Sequence, residues 1–138
     1  MSTTSAGYSG TPLARKLGIK PGMRLCALAA PTNYGQLLAP LPDDLHWQAK
    51  PSLECALVHA FFVERQVLAA ALRQLRETLA TDAVLWVSWP KRSAGVATDI
   101  TEDVIRDEAL PLGWVDVKVC AVDATWSALK LVVRKQLR

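Results

Sequence analysis

Cys55 and His59 stand four residues apart, a spacing that lets two soft ligands share one face of a helix. They are the nearest thing to a metal motif in the chain. The other histidine is His46 and the other cysteines are Cys26 and Cys120, none at a usable ligand spacing, so no third and fourth donor is in sight and no metal is expected. The pair reads instead as a core thiol and a hydrogen-bonded core histidine. No GxSxG elbow, phosphate-binding loop or HExxH occurs, which removes the commonest signatures of serine hydrolases, P-loop NTPases and zinc proteases.

Chemistry must then come from side chains that are far apart in sequence. Lys91 and Arg92 are adjacent cations in a loop, Trp89 and Trp126 are indoles near strand ends, and Tyr34 and Ser127 carry hydroxyls. General acid or base work needs a positioned titratable group, and only Asp99, Asp123 and Lys91 are candidates; no catalytic residue is named. Each has a plainer role. The indoles can simply bury the edges of a sheet, the cations can be a solvated loop, Asp99 can cap a helix, and Asp123 can close a turn.

What would bring these residues together is the order of elements. Thr11-Pro12 reads as an N-cap with proline at the first helical position, opening a short helix through Leu17 that Gly18 closes. Residues 24–30 form a compact apolar run predicted as a strand, 34–38 a turn or two of helix, and 45–49 a weak strand between Pro42 and Pro51. From Leu53 to Leu79 the apolar residues fit a helical period without interruption, so one long helix competes with a strand over 55–62 followed by a helix over 64–79. The second is preferred, because Phe61-Phe62-Val63 suits a buried strand and the rest of the chain alternates strand with helix. Residues 83–89 read as a buried strand of the parallel-sheet type. Asp99 and Glu102 resemble a capping box for a helix that Pro111 and Gly113 end. Residues 115–122 and 126–134 are two strands joined by the short Asp123-Ala124-Thr125 turn, which makes them antiparallel.

The predicted fold class is therefore α/β, a three-layer Rossmann-like domain over residues 11–138 with a mostly parallel sheet of about six strands ending in an antiparallel hairpin. Residues 1–10 are expected to be a flexible tail, with Tyr8-Ser9-Gly10 as a docked terminus or a lid, and they do not read as a signal peptide. In such a sheet ligands bind beyond the carboxyl ends of the parallel strands. The loop after the first strand brings Thr32, Asn33 and Tyr34 to that rim, the loop after residue 89 brings Lys91, Arg92 and Ser93, and Asp99 opens the next helix there. Because the last strand runs backwards, Asp123, Trp126 and Ser127 join them. The candidate ligand-binding set is thus Tyr34, Trp89, Lys91, Arg92, Asp99, Asp123, Trp126 and Ser127, and its cations, helix end and indoles suit an anionic or nucleotide-like small molecule.

The closing antiparallel hairpin resembles the fold of class I S-adenosylmethionine-dependent methyltransferases, whose last strand is inserted antiparallel beside its neighbour. Residue by residue, Tyr8-Ser9-Gly10-Thr11-Pro12-Leu13, Leu85-Trp86-Val87-Ser88-Trp89-Pro90-Lys91, and Val115 to Asp123 leading into Thr125-Trp126-Ser127 are similar to the bacterial family called domain of unknown function 3052. That family brings no activity with it. The methyltransferase likeness implies a glycine-rich turn after the first strand and an acidic residue at the end of the second. Here Pro31-Thr32-Asn33-Tyr34-Gly35 and His46-Trp47-Gln48-Ala49-Lys50 stand in those places, so S-adenosylmethionine is not expected to bind in the usual mode.

Composition bounds the rest. Hydrophobic residues make up 51% and charged residues 21% of the chain, as in an ordinary folded domain. Cysteines of odd number in apolar stretches point to a reducing, cytoplasmic setting, and no apolar run approaches a bilayer span. A net charge of +3 is too small to imply nucleic acid, although Arg134, Lys135 and Arg138 form a basic tail and Arg15, Lys16, Lys20 and Arg24 cluster early. The leading reading is a non-catalytic ligand-binding or regulatory domain on a degenerate methyltransferase-like scaffold. A divergent methyltransferase comes second and a nucleic-acid accessory third.

Overall fold

In the computed structural model, which describes residues 10–138, the predicted alternation of elements is realised. The expectations for the tail, and for a lid at Tyr8 and Ser9, lie outside the described residues. The elements are α1 (Leu13–Leu17), β1 (Arg24–Leu28), α2 (Tyr34–Leu38), β2 (His46–Trp47), β3 (Leu57–Phe61), α3 (Arg65–Thr78), β4 (Val84–Pro90), α4 (Glu102–Ala109), β5 (Trp114–Ala121) and β6 (Trp126–Val133). They build one six-stranded sheet in the order β2-β1-β3-β4-β6-β5. The first four strands are mutually parallel, and β6 lies antiparallel between β4 and β5. It follows that β5 runs in the same direction as β4 without touching it.

Burial decides between strand and helix in the stretch before α3. All five residues of β3 are buried, as a central strand covered on both faces requires. Leu53, which a long helix would have used, is 71% exposed. The helical stripe proper begins later, with Leu68, Leu72 and Leu75 on one face of α3.

Two apolar cores flank the sheet. On one side Leu68, Leu72 and Leu75 of α3 and Ile105 and Ala109 of α4 cover Val58, Leu85, Leu129 and Leu131. On the other, α1 and α2 lay Leu13, Leu17, Tyr34 and Leu38 over Leu25, Leu57, Phe61 and Trp86. The indole N–H of Trp86 donates to the Leu17 carbonyl at 2.8 Å and so satisfies one of the last acceptors of α1. Gly18 then closes that helix at φ 82°, where a side chain would be strained.

Two capping expectations need correction. Pro12 occupies the N-cap position of α1 itself and the helix has no side-chain cap, so Thr11 does not serve. Asp99 and Glu102 do not form a capping box, because α4 starts at Glu102 and Thr101 is its cap, accepting from the Val104 N–H at 3.2 Å. Asp99 caps a different helix. Thr98 Oγ1 donates to the Val63 carbonyl at 2.6 Å, and this holds the segment against the start of α3, where Asp99 Oδ1 accepts the Arg65 N–H at 2.6 Å.

The chain leaves β1 toward β2 on one side and reaches β3 on the other, so the topological switch point lies at the carboxyl ends of β1 and β3. Ala29, the residue after β1, holds φ 56° there. That left-handed conformation costs an L-residue about 1 kcal/mol, whereas glycine adopts it freely. Ala29→Gly is therefore expected to raise stability by up to about 1 kcal/mol, less the extra entropy of an unfolded glycine. Urea denaturation checks this, and a lower midpoint would contradict it.

Candidate functional site

The residues of the rim are set by strand periodicity. Trp89 pairs with Ser127 and Pro90 with Trp126 across β4 and β6, and directly paired residues share a face. Trp89 and Ser127 therefore lie on the α3/α4 side and Trp126 on the α1/α2 side. The sequence pattern alone places both indoles at one site. The sheet separates them, because the register is offset by one residue from the Trp89–Trp126 pairing that a shared site needs.

On the α3/α4 side a cleft of about 380 Å³ opens at the rim, lined by Trp89, Pro90, Arg92, Val96, Thr98, Ile100, Thr101 and Glu102. Trp89 is buried and forms its apolar wall. Arg92 opens a 3-10 turn that Gly95 ends at φ 70°. Glu102 is ion-paired with Arg106, which also holds Asp103 and Asp116. The carboxylate is thus neutralised beside the cleft, and Arg92 is the cation in its lining. Lys91 lies outside that lining and contributes its backbone, the N–H donating to the Thr125 carbonyl at 2.7 Å. This ties the loop to the β5–β6 turn.

The candidate acids are both engaged by backbone. Asp99 accepts from Arg65 as described, and Asp123 Oδ1 accepts the N–H groups of Thr125 at 2.9 Å and Trp126 at 2.8 Å. These are the cap and turn roles, although Asp99 serves α3 rather than α4. The cleft residues Thr98, Ile100 and Thr101 were missed. The competing Asp99-x-x-Glu102 pattern hid Thr101, whose own cap partner is the apolar Val104.

The α1/α2 side holds a different arrangement, closed to solvent. Tyr34 Oη and His59 Nδ1 are 2.7 Å apart, and His59 Nε2 and Ser88 Oγ are 2.7 Å apart. His59 and Ser88 are fully buried. Since each hydroxyl can donate or accept, a neutral imidazole is satisfied at both nitrogens in either tautomer. Aromatic rings enclose the chain: His59 stacks on Phe61 at 4.3 Å between centroids, and Phe61 meets Tyr34 and Trp126 edge-on at 5.5 and 5.1 Å. Burial lowers the His59 pKa from 6.5 to about 3 and raises that of Tyr34. Tyr34 is thus turned into the core instead of toward a ligand. Ser88 has a histidine partner but is fully buried, so its hydroxyl meets no substrate where it stands.

Nor do Cys55 and His59 form a ligand pair. The Cys55 thiol donates to Gln48 Oε1 at 3.2 Å while His59 spends both nitrogens on hydroxyls. Among the described residues no group of three or more potential metal ligands converges.

Comparison with protein-family models and with curated proteins finds no match. Solved structures do match in fold. A SAM-dependent methyltransferase from Aquifex aeolicus superposes with TM-score 0.63 at 11% identity, covering 88% of each chain. The DhpI–SAH complex gives 0.60 at 13%, covering 90% of this chain and 83% of its own. A putative type 11 methyltransferase from Sulfolobus solfataricus gives 0.60 at 10%, covering 89% and 90%. At such identities the likeness is one of fold.

That fold implies a cofactor, and the residues at its usual place do not fit it. After β1 stand Ala30 and Pro31, and proline offers no N–H to a ligand. At the end of β2 the Gln48 amide oxygen already accepts from Ser52 Oγ at 2.8 Å and from Cys55, and no carboxylate is present to hold a ribose.

Acid stability should report the buried histidine. Its folded pKa is depressed, so the unfolded chain takes up a proton below pH 6.5 that the folded chain refuses until about pH 3. The stabilisation is complete above that upper value and is lost as pH falls. Between pH 6.5 and about 5, where exposed carboxylates are still ionised, roughly 2 kcal/mol should disappear at about 1.4 kcal/mol per pH unit. Urea titrations at stepped pH measure it; a flat profile over that window would show that His59 is not held neutral.

Proposed function

We propose that the domain is a non-catalytic ligand-binding or regulatory module on a methyltransferase-like scaffold, taking an anionic or nucleotide-like small molecule in the cleft between Trp89, Arg92 and the first turn of α4. One observation carries the reading: the rim has an open cleft with a cation and an indole, while both of its candidate acids are already spent on backbone amides. A cleft of that size is in the range that small ligands use. Apart from that of Val104, which Thr101 takes, the early amides of α4 lack intrahelical acceptors and favour negative charge beside Arg92. A cytoplasmic setting and kinship with the bacterial family of unknown function belong to the same reading, supported by three unbonded cysteines and by the segments quoted above.

The likeness to methyltransferase structures favours a second reading, a divergent S-adenosylmethionine-dependent methyltransferase. Ala29 supports it too, since its left-handed turn at the switch point is a conformation glycine adopts freely. Calorimetry with S-adenosylmethionine and S-adenosylhomocysteine separates the two. Binding weaker than about 1 mM is expected, and affinity near 1 μM would replace the first reading with the second.

Thermal shift with phosphate, sulfate, AMP and ATP tests the first reading directly, because a bound ligand stabilises the fold by mass action. Replacing Lys91 and Arg92 together by alanine should leave the melting temperature of the free protein nearly unchanged. It should also abolish the salt-sensitive stabilisation by the anions, with Arg92→Ala alone having most of the effect and Lys91→Ala little. Equal loss from both single variants would place the ligand elsewhere than in the cleft.

A further inference from the structure

The outer edge of the sheet is built unlike its centre. β5 is an edge strand, so one side of its backbone has no partner strand among the described residues. In the β5–β6 register Lys118 stands directly opposite Lys130, and Lys130 in turn pairs with Trp86, which belongs to the core beneath α1 and α2. Both lysines therefore share the α1/α2 face. Val119 pairs with Leu129 of the opposite core and so points to the α3/α4 face, where it is 46% exposed.

Like charges directly opposite each other destabilise a strand pair. Neither Lys118 nor Lys130 is in an ion pair among the described residues. The carboxylates nearest in sequence are committed elsewhere, Asp116 to Arg106 and Asp123 to its own turn. Lys16 of α1 lies near the same face: burial raises the pKa of the Cys120 thiol, and Lys16 and Lys118 both act against that rise. No carboxylate lies on α1 or α2, and none occurs in the sequence before Asp43. By contrast α4 carries Glu102, Asp103, Asp107 and Glu108. A lysine that merely guards an edge against aggregation explains Lys118 but not Lys130, which sits on an inner strand.

We propose that β5 is a docking edge for an extended acidic segment of a partner protein, added as a further strand with acidic side chains facing Lys118 and Lys130 and apolar side chains facing Val119. Period-two alternation is what an added strand imposes, and the two faces of the edge ask for opposite chemistry. A second copy pairing through the same edge is disfavoured, because it would bring more lysines onto the lysine face. The proposal is independent of the rim cleft.

The test is binding of a labelled alternating Glu-Val octapeptide, followed by fluorescence anisotropy at low salt, with octaglutamate, an alternating Lys-Val octapeptide and a DNA duplex as comparisons. The Glu-Val peptide should bind, weaken as salt rises, and protect amides of residues 115–121 from hydrogen exchange. The double variant Lys118→Glu with Lys130→Glu should weaken it by roughly tenfold or more. Lys118→Ala with Lys130→Ala should weaken it less while folding normally, since it removes a repulsion, and it decides the matter if the charge reversal does not fold. No binding at about 100 μM peptide, an unchanged affinity in the folded variants, or equal binding of octaglutamate or duplex would overturn the proposal.

Discussion

A strand buried on both faces admits a polar side chain only if every polar atom on it finds a partner, and β3 obeys that constraint with one exception to its apolar run. His59 sits in the middle of Leu57–Phe61 with no access to water, so both of its nitrogens must be used. Ser88 on the neighbouring strand takes one and Tyr34 takes the other. Because Tyr34 is the first residue of α2, this hydrogen bond fixes where α2 begins and hence the course of the loop after β1. The loop after β1 is thus anchored from inside the core at its far end.

The same requirement for satisfied polar groups occupies the rim acids that sequence reasoning offers for catalysis. Each carboxylate that sequence reasoning offered for catalysis turns out to lie within reach of unpaired backbone donors: Asp99 at the first turn of α3 and Asp123 inside a two-strand turn. A carboxylate accepting such bonds is held in one orientation by the backbone, which suits a cap or a turn. Arg106 organises a further carboxylate group along α4, reaching Glu102, Asp103 and Asp116, and it is this network that leaves Arg92 as the cation in the cleft lining.

How much of this the sequence shows depends on the range of the interaction. Continuous apolar runs such as residues 83–89 are strands whichever partner they find, and the short turn at Asp123 forces a hairpin, so the element order and the final antiparallel pair are legible. Gly18 as a helix end is legible for the same local reason. Asp99 is not, because its true partner is the Arg65 amide, 34 residues away, and nothing in its own neighbourhood competes with the attractive spacing to Glu102. The two indoles were misjoined by a single step of register, which local pattern does not supply. The core histidine was recognisable from its apolar surroundings, whereas its partners Tyr34 and Ser88 come from a helix and a strand that only the folded sheet brings together.

Charge follows the layers of the fold more closely than its net value suggests. With a net charge of only +3 the chain reads as nearly balanced, yet α1 carries Arg15 and Lys16 and no acidic residue while α4 carries Glu102, Asp103, Asp107 and Glu108. Around α4 the charges are cross-linked, Arg65 to Glu108 and Arg106 to its three partners. Exposed pairs of this kind add little stability individually, but they do cancel the field that an approaching anion would meet. On the other side Lys118 and Lys130 face each other, and among the described residues neither is in an ion pair. The lysine pair thus lies at an edge of the sheet where the exposed Val119 accompanies it on the opposite face. An edge of that kind would select a partner by pattern as well as by charge, whereas at the C-terminal cations Arg134 and Arg138 already donate to the Leu110 and Val133 carbonyls.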